Sequence, residues 1–153
     1  GQPPVPRPAA PAPARPAPVS RPTLRLGSML SLAEVMQEHP LLGRFGIGAF
    51  SPGTKTPEQR RAEIAEGREE LASSEATVLR VVGWLRENIT PIKTPAAGSY
   101  GMKHVAERAM GTYITNGEFI AAALMLGYTH RYVTPNVLFG MSAKDVARAR
   151  APR

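Results

Sequence analysis

Residues 114–127 constrain this chain more than any other stretch. Thr115 and Glu118 stand three apart, the spacing of a capping box. In such a box each side chain satisfies a backbone N–H that the first helical turn leaves free. Ile114 before the cap and Phe119 after it are placed for a hydrophobic staple. Gly127 supplies a residue that accepts the left-handed conformation at a helix end. Between these signals Phe119, Ile120, Ala123 and Leu124 fall on one side, and Ala121, Ala122, Met125 and Leu126 fill the rest. A helix with no polar face has to be surrounded. The spacing therefore predicts a helix over 116–126 buried at the centre of a domain, with alanines that let neighbours close in. Met125 and the aromatics read as core, not as a cofactor pocket.

The same grammar recurs along the chain. Ser31 and Glu34 make a box, with Leu30 and Val35 as its staple, and Pro40 ends the helix near His39. Thr56, Pro57 and Gln59 open another helix. Ile64, Leu71, Val78 and Leu85 then recur every seven residues, with Val81, Val82 and Trp84 thickening the second half. This is either one helix over 57–88 or two joined at Ser73-Ser74. Ser99 starts a helix that runs to Met110 and closes at Gly111. Its apolar face is Met102, Val105, Ala106, Ala109 and Met110; Lys103, His104, Glu107 and Arg108 take the other. Residues 128–133 and 137–139 alternate enough to form a short hairpin. Ser142 and Asp145 repeat the box with a shorter acid and open a last helix to about Arg150. Gly46 and Gly48 lie in a loop with no preceding strand and no following Gly-Lys-Ser/Thr, which argues against a nucleotide cradle. Phe45, Ile47 and Phe50 are expected to pin that loop to the core.

The fold expected is mainly α: four to six helices around the buried central helix 116–126, with a short β-hairpin near 128–139. Residues 1–22 are Pro, Ala, Arg and little else. They cannot bury enough apolar surface to offset their ordering entropy, so we expect a disordered, semi-stiff linker. Pro3-Pro4-Val5-Pro6 and Arg15-Pro16-Ala17-Pro18 carry spacings that suit a proline-binding surface. Residues 23–153 read as a single helical domain, expected to be one part of a longer protein.

Charge is uneven. The formal net charge is +7, yet residues 1–27 carry four Arg and no acid, while 28–98 carry eight basic and nine acidic groups. Residues 99–153 carry seven basic and three acidic groups. A basic surface favours polyanions or acidic proteins. No cysteine is present, which excludes disulfides, thiol chemistry and Cys-type zinc sites. That fits a reducing compartment, and we expect a cytoplasmic protein. No run approaches the roughly 20 apolar residues that span a bilayer, so no membrane association is expected.

His39, His104 and His130 are far apart and none has a partner at metal-ligand spacing, so no metal is expected. There is no Gly-x-Ser-x-Gly elbow. Ser99, Tyr100, Lys103, His104, Glu107 and Glu118 are the one set able to meet for acid–base work. Glu118 already has a capping role, and we expect no catalytic site and no cofactor. The function expected is a non-enzymatic regulatory or accessory one. The first reading is nucleic-acid binding through Lys103, Arg108, Arg131, Lys144, Arg148 and Arg150, with Tyr100, Tyr113, Tyr128 and Tyr132 interleaved. Residues 99–127 have a helix-turn-helix outline, but the second helix is too apolar to read a groove. The second reading is a protein-interaction module using the charged 57–88 helix, with Arg60, Arg61 and Arg68 as contacts. A homodimer through that helix is a variant of this reading.

Overall fold

A computed structural model describes residues 29–152 of the protein. The Pro-rich stretch 1–22, its expected disorder and Arg153 lie outside the described residues. Among the described residues six helices and two small antiparallel sheets enclose one core. The helices are α1 (Leu32–Glu38), α2 (Pro57–Ala72), α3 (Glu75–Asn88), α4 (Ser99–Met110), α5 (Asn116–Leu126) and α6 (Ala143–Arg150). One sheet pairs β1 (Leu42–Gly43) with β2 (Gly46–Ile47). The other has order β3-β5-β4, from Ala97–Gly98, Asn136–Phe139 and His130–Val133.

α5 is buried at every position from Asn116 to Leu126. Ala122 and Leu126 have no exposed surface. The box at Thr115 and Glu118 is complete, and Gly127 closes the helix at φ 86°. α3, α1 and α4 pack around α5, with α3 making the largest contact. Fully burying each Leu, Ile or Phe of such a core is worth about 1.5–3 kcal/mol. Tyr128, just past α5, donates to the Ile89 carbonyl at the end of α3, and burial pushes its phenol pKa up.

The 57–88 segment is two helices. Ser73 and Ser74 donate their hydroxyls back to the carbonyls of Glu69 and Leu71. Such bonds compete with the helical ladder and favour a break. Leu71, Val78 and Leu85 of the seven-residue repeat have no exposed surface. They face the domain's own core and are taken up there.

Two local expectations fail for one reason, a competing long-range partner. Ser142 caps α6 by accepting from the Asp145 N–H, but Asp145 does not return the bond. Its carboxylate instead accepts from the Thr90 N–H at 2.8 Å and pairs with Arg148. The loop at 43–50 is not pinned by Phe45 and Phe50, which are 50% and 36% exposed; only Ile47 is buried. It forms the β1–β2 hairpin, and glycines anchor it. The Arg44 N–H donates to Gly67 O of α2 at 2.9 Å, and the Gly117 N–H of α5 donates to Arg44 O at 2.9 Å. Gly117 and, less severely, Gly43 let the backbones approach: a Cβ would stand 1.8 Å from Gly43 O at the first and 3.0 Å from the Gly67 carbonyl carbon at the second. Asn116 completes the junction by donating to Asn136 Oδ1 at 2.9 Å.

A candidate binding surface on helix α4

α4 is amphipathic, with Met102, Val105 and Ala106 buried toward α5. Its outer face gathers four of the six residues expected to meet. Lys103 is 6% exposed, held between two rings. Its Nζ is 5.3 Å from the Tyr100 ring centre and 5.1 Å from that of Tyr113, and 3.4 Å from Glu107 Oε2. Tyr113 arrives from the loop after Gly111. The two tyrosines are 55% and 61% exposed, so each covers the lysine with one face and leaves ring surface open. Glu107 also accepts from the Ile114 N–H at 3.0 Å and lies 2.9 Å from His104 Nδ1. Burial opposes its ionisation, yet the Ile114 bond, Lys103 and His104 outweigh that and hold its carboxyl below the ordinary range. His104 stacks edge-on against Tyr100 at 4.8 Å. Ser99 is turned inward, accepting from the Val137 N–H at 3.1 Å, and Glu118 stays in its cap.

The basic residues expected to bind nucleic acid divide. Arg108 and Arg150 meet across α4 and α6: Arg108 donates to the Arg150 carbonyl at 3.2 Å. The Arg150 guanidinium lies over Gly101, beside Tyr100. Lys144 and Arg148 stand exposed on α6, with Arg148 bonded to Asp145 at 2.9 Å. Lys103 carries its charge on this face but its ammonium is enclosed, so it supports the tyrosines instead of reaching a phosphate. Arg131 sits on β4, the strand farthest from β3, which leads into α4. The structure does not bring it to the others.

The residues expected to contact a protein divide as well. Arg60 and Arg61 are exposed on α2. Arg68 is not a free contact: its guanidinium points inward and donates to the carbonyls of Met36, Leu42 and His39 at 2.8–3.0 Å. Local pattern places a charge on the outer face of a charged helix; the acceptors that draw it in come from α1, its C-cap and β1, about thirty residues earlier in the chain.

Sequence spacing also missed a small cluster. His39, at the end of α1, hydrogen-bonds through Nδ1 to the Tyr132 hydroxyl, and its ring is 5.4 Å from His130. Burial lowers the His39 pKa below 6.5, and His130 lowers it further, while Glu38 pulls the other way. The folded state thus prefers neutral His39, and the unfolded chain binds the extra proton. That part of the stability is complete above pH 6.5 and is lost as pH falls through the folded value. Asp145 is held below its ordinary range by its bonds from Thr90, with Arg148 adding to them; its share is lost only in stronger acid. Melting temperature should therefore fall on acidification in two stages. His39→Asn should abolish the first and leave the second, and a first stage that survives that substitution would refute the assignment.

The arrangement offers ring faces and cations on one surface. No known protein family, curated relative or solved structure matches this chain.

Proposed function

We propose that the domain is a non-enzymatic accessory module that binds single-stranded nucleic acid on the α4–α6 face. One observation carries the reading: the exposed rings of Tyr100 and Tyr113 bracket Lys103 next to the Arg108–Arg150 pair. Bases stack on aromatic faces without regard to sequence, and arginines neutralise the phosphates that run between them. The enclosed lysine, its charge balanced by Glu107, fixes the ring planes before a ligand arrives, and Arg108 and Arg150 supply the positive charge beside them. The apolar α5 supplies no polar side chain to a major groove, which favours an unpaired strand over a duplex. An acidic protein surface is the other ligand that the same cations suit; it needs the charges but not the rings.

Fluorescence anisotropy with a labelled single-stranded oligonucleotide at low salt tests this. Tyr100→Ala with Tyr113→Ala should weaken binding about 10- to 100-fold, the scale of one or two lost stacking contacts. Tyr100→Phe with Tyr113→Phe should retain most of the affinity. Arg108→Gln with Arg150→Gln should lower the salt slope by about one to two. No binding at low salt, or equal binding by the double Ala variant, would remove the reading. Loss on the arginine changes alone would transfer the face to an acidic protein.

A further inference from the structure

The exposed aromatics of the β1–β2 hairpin face a different surface, and nothing in the nucleic-acid reading uses it. Between the hairpin and α2 lies a largely apolar depression of about 430 Å³, floored by Leu41, Ile47, Phe50, Ile64 and Pro135, with the exposed Arg60 also lining it, away from the carboxylates of the neighbouring depression. Leu41 is 48% exposed and Phe50 36%. Sharing Gly48, Phe50 and Ile64 with it is a second depression of about 200 Å³, walled by Phe45 and by Glu63, Glu66 and Glu70. Glu63 is already used, accepting from the Phe50 and Ser51 N–H groups and pairing with Lys55 at 3.5 Å. Glu70 lies 4.0 Å from Arg44. Glu66 is exposed on the rim.

An apolar, aromatic-edged trough continuous with a carboxylate wall is suited to a proline-rich chain with arginines spaced along it. Prolines in an extended helix lie on aromatic and aliphatic floors at little entropic cost, and arginines at their ends pair with carboxylates. This protein carries such a chain outside the described residues. Residues 1–28 contain Arg7, Arg15, Arg21 and Arg25 and no acid. We infer that the N-terminal Pro/Arg arm of the same molecule docks in this trough, with Pro16 and Pro18 on the Leu41–Phe50–Ile64 floor and Arg15 at Glu66 and Glu70.

Reach permits it. Met29 and Leu41 are joined through α1, so they are separated by no more than about 31 Å. Pro18 is 11 residues before Met29, and a chain of that length at about 3.1 Å per residue can span about 34 Å. The docking is therefore intramolecular, and the tether holds the arm at a high effective concentration, so that a weak site suffices. The occupied trough would also cover the exposed phenylalanines.

The chain has no native cysteine, so a single spin label on Ala14→Cys reports the arm's position in the otherwise unchanged full-length protein. Paramagnetic broadening of backbone amides should concentrate on residues 43–50 and 60–70 and be independent of dilution. Arg7→Glu with Arg15→Glu, which alters only the arm and leaves the domain intact, should relieve it severalfold. Glu66→Arg on the trough should do the same, and the two sets combined should restore part of the contact. Even broadening over the whole domain, or broadening centred elsewhere, overturns the inference. So does a signal seen only when label and isotope are on different molecules, or one that ignores both charge reversals.

Discussion

Gly117→Ala should destabilise the domain by about 3 kcal/mol or more, at the upper end of overpacking costs. A Cβ at Gly117 would stand 1.8 Å from the Gly43 carbonyl oxygen and 2.5 Å from that of Arg44. Both are backbone atoms of the β1–β2 hairpin, so no side chain can swing aside. The hairpin is itself fixed on its far side by the Arg44 N–H to Gly67 O bond, and α5 is buried throughout. Something must part, and the Gly117 N–H to Arg44 O bond goes first. Urea denaturation measures the loss. The comparison is Gly83→Ala, in the exposed middle of α3 with nothing within 4 Å of the new methyl. That change should raise stability by roughly 0.5–1 kcal/mol, because alanine restricts the unfolded chain and suits a helix. Equal midpoints for Gly117→Ala and the parent protein would show that the hairpin is not seated on α5.

These two glycines mark the boundary of what the sequence made legible. Capping boxes at Ser31, Thr56 and Thr115 and left-handed stops at Gly111 and Gly127 were readable because all their partners lie within a few residues. The same holds for the fully apolar α5, whose burial needs no knowledge of its neighbours. Gly117 instead looked like an ordinary residue of the first turn. Its role comes from the backbone of Gly43 and Arg44, which approaches only in the folded chain. The site divides in the same way. α4 was readable as an amphipathic helix with Lys103, His104, Glu107 and Arg108 outward. Lys103 nevertheless lies between rings because Tyr113, ten residues on, folds back over the helix. Asp145 follows this pattern too, since a backbone N–H at Thr90 outcompetes its own cap. Charged and polar side chains take whichever strong partner the fold offers, and spacing reveals only the local ones.

Arg68→Ala should be the second large loss, about 2–4 kcal/mol, although the residue sits on a helix with mostly charged faces. α1 ends without the usual means of closure. Its C-cap, His39, has φ −126° and ψ 76°, not the left-handed conformation, and no basic residue lies in its last turn. Carbonyls at a helix end that find no partner are costly when shielded from water. Arg68 of α2 supplies donors there, with Nη2 to Met36 O at 2.8 Å and Nη1 to Leu42 O of β1 and His39 O at 2.9 and 3.0 Å, the last also accepting from the Leu42 N–H. A cation at this end also complements the helix dipole. The planar fork spans three acceptors, which a single ammonium cannot, so Arg68→Lys should recover less than half of the loss. Arg60→Ala and Arg61→Ala, both exposed, should stay within about 0.5 kcal/mol of the parent. The contrast bears on any partner that uses α2. A charge reversal at Arg60 or Arg61 that abolishes a complex reports a contact, whereas the same effect at Arg68 reports an α1 that has come loose. Denaturation curves separate the two cases, and an Arg68→Ala protein as stable as Arg61→Ala would return Arg68 to the outer surface.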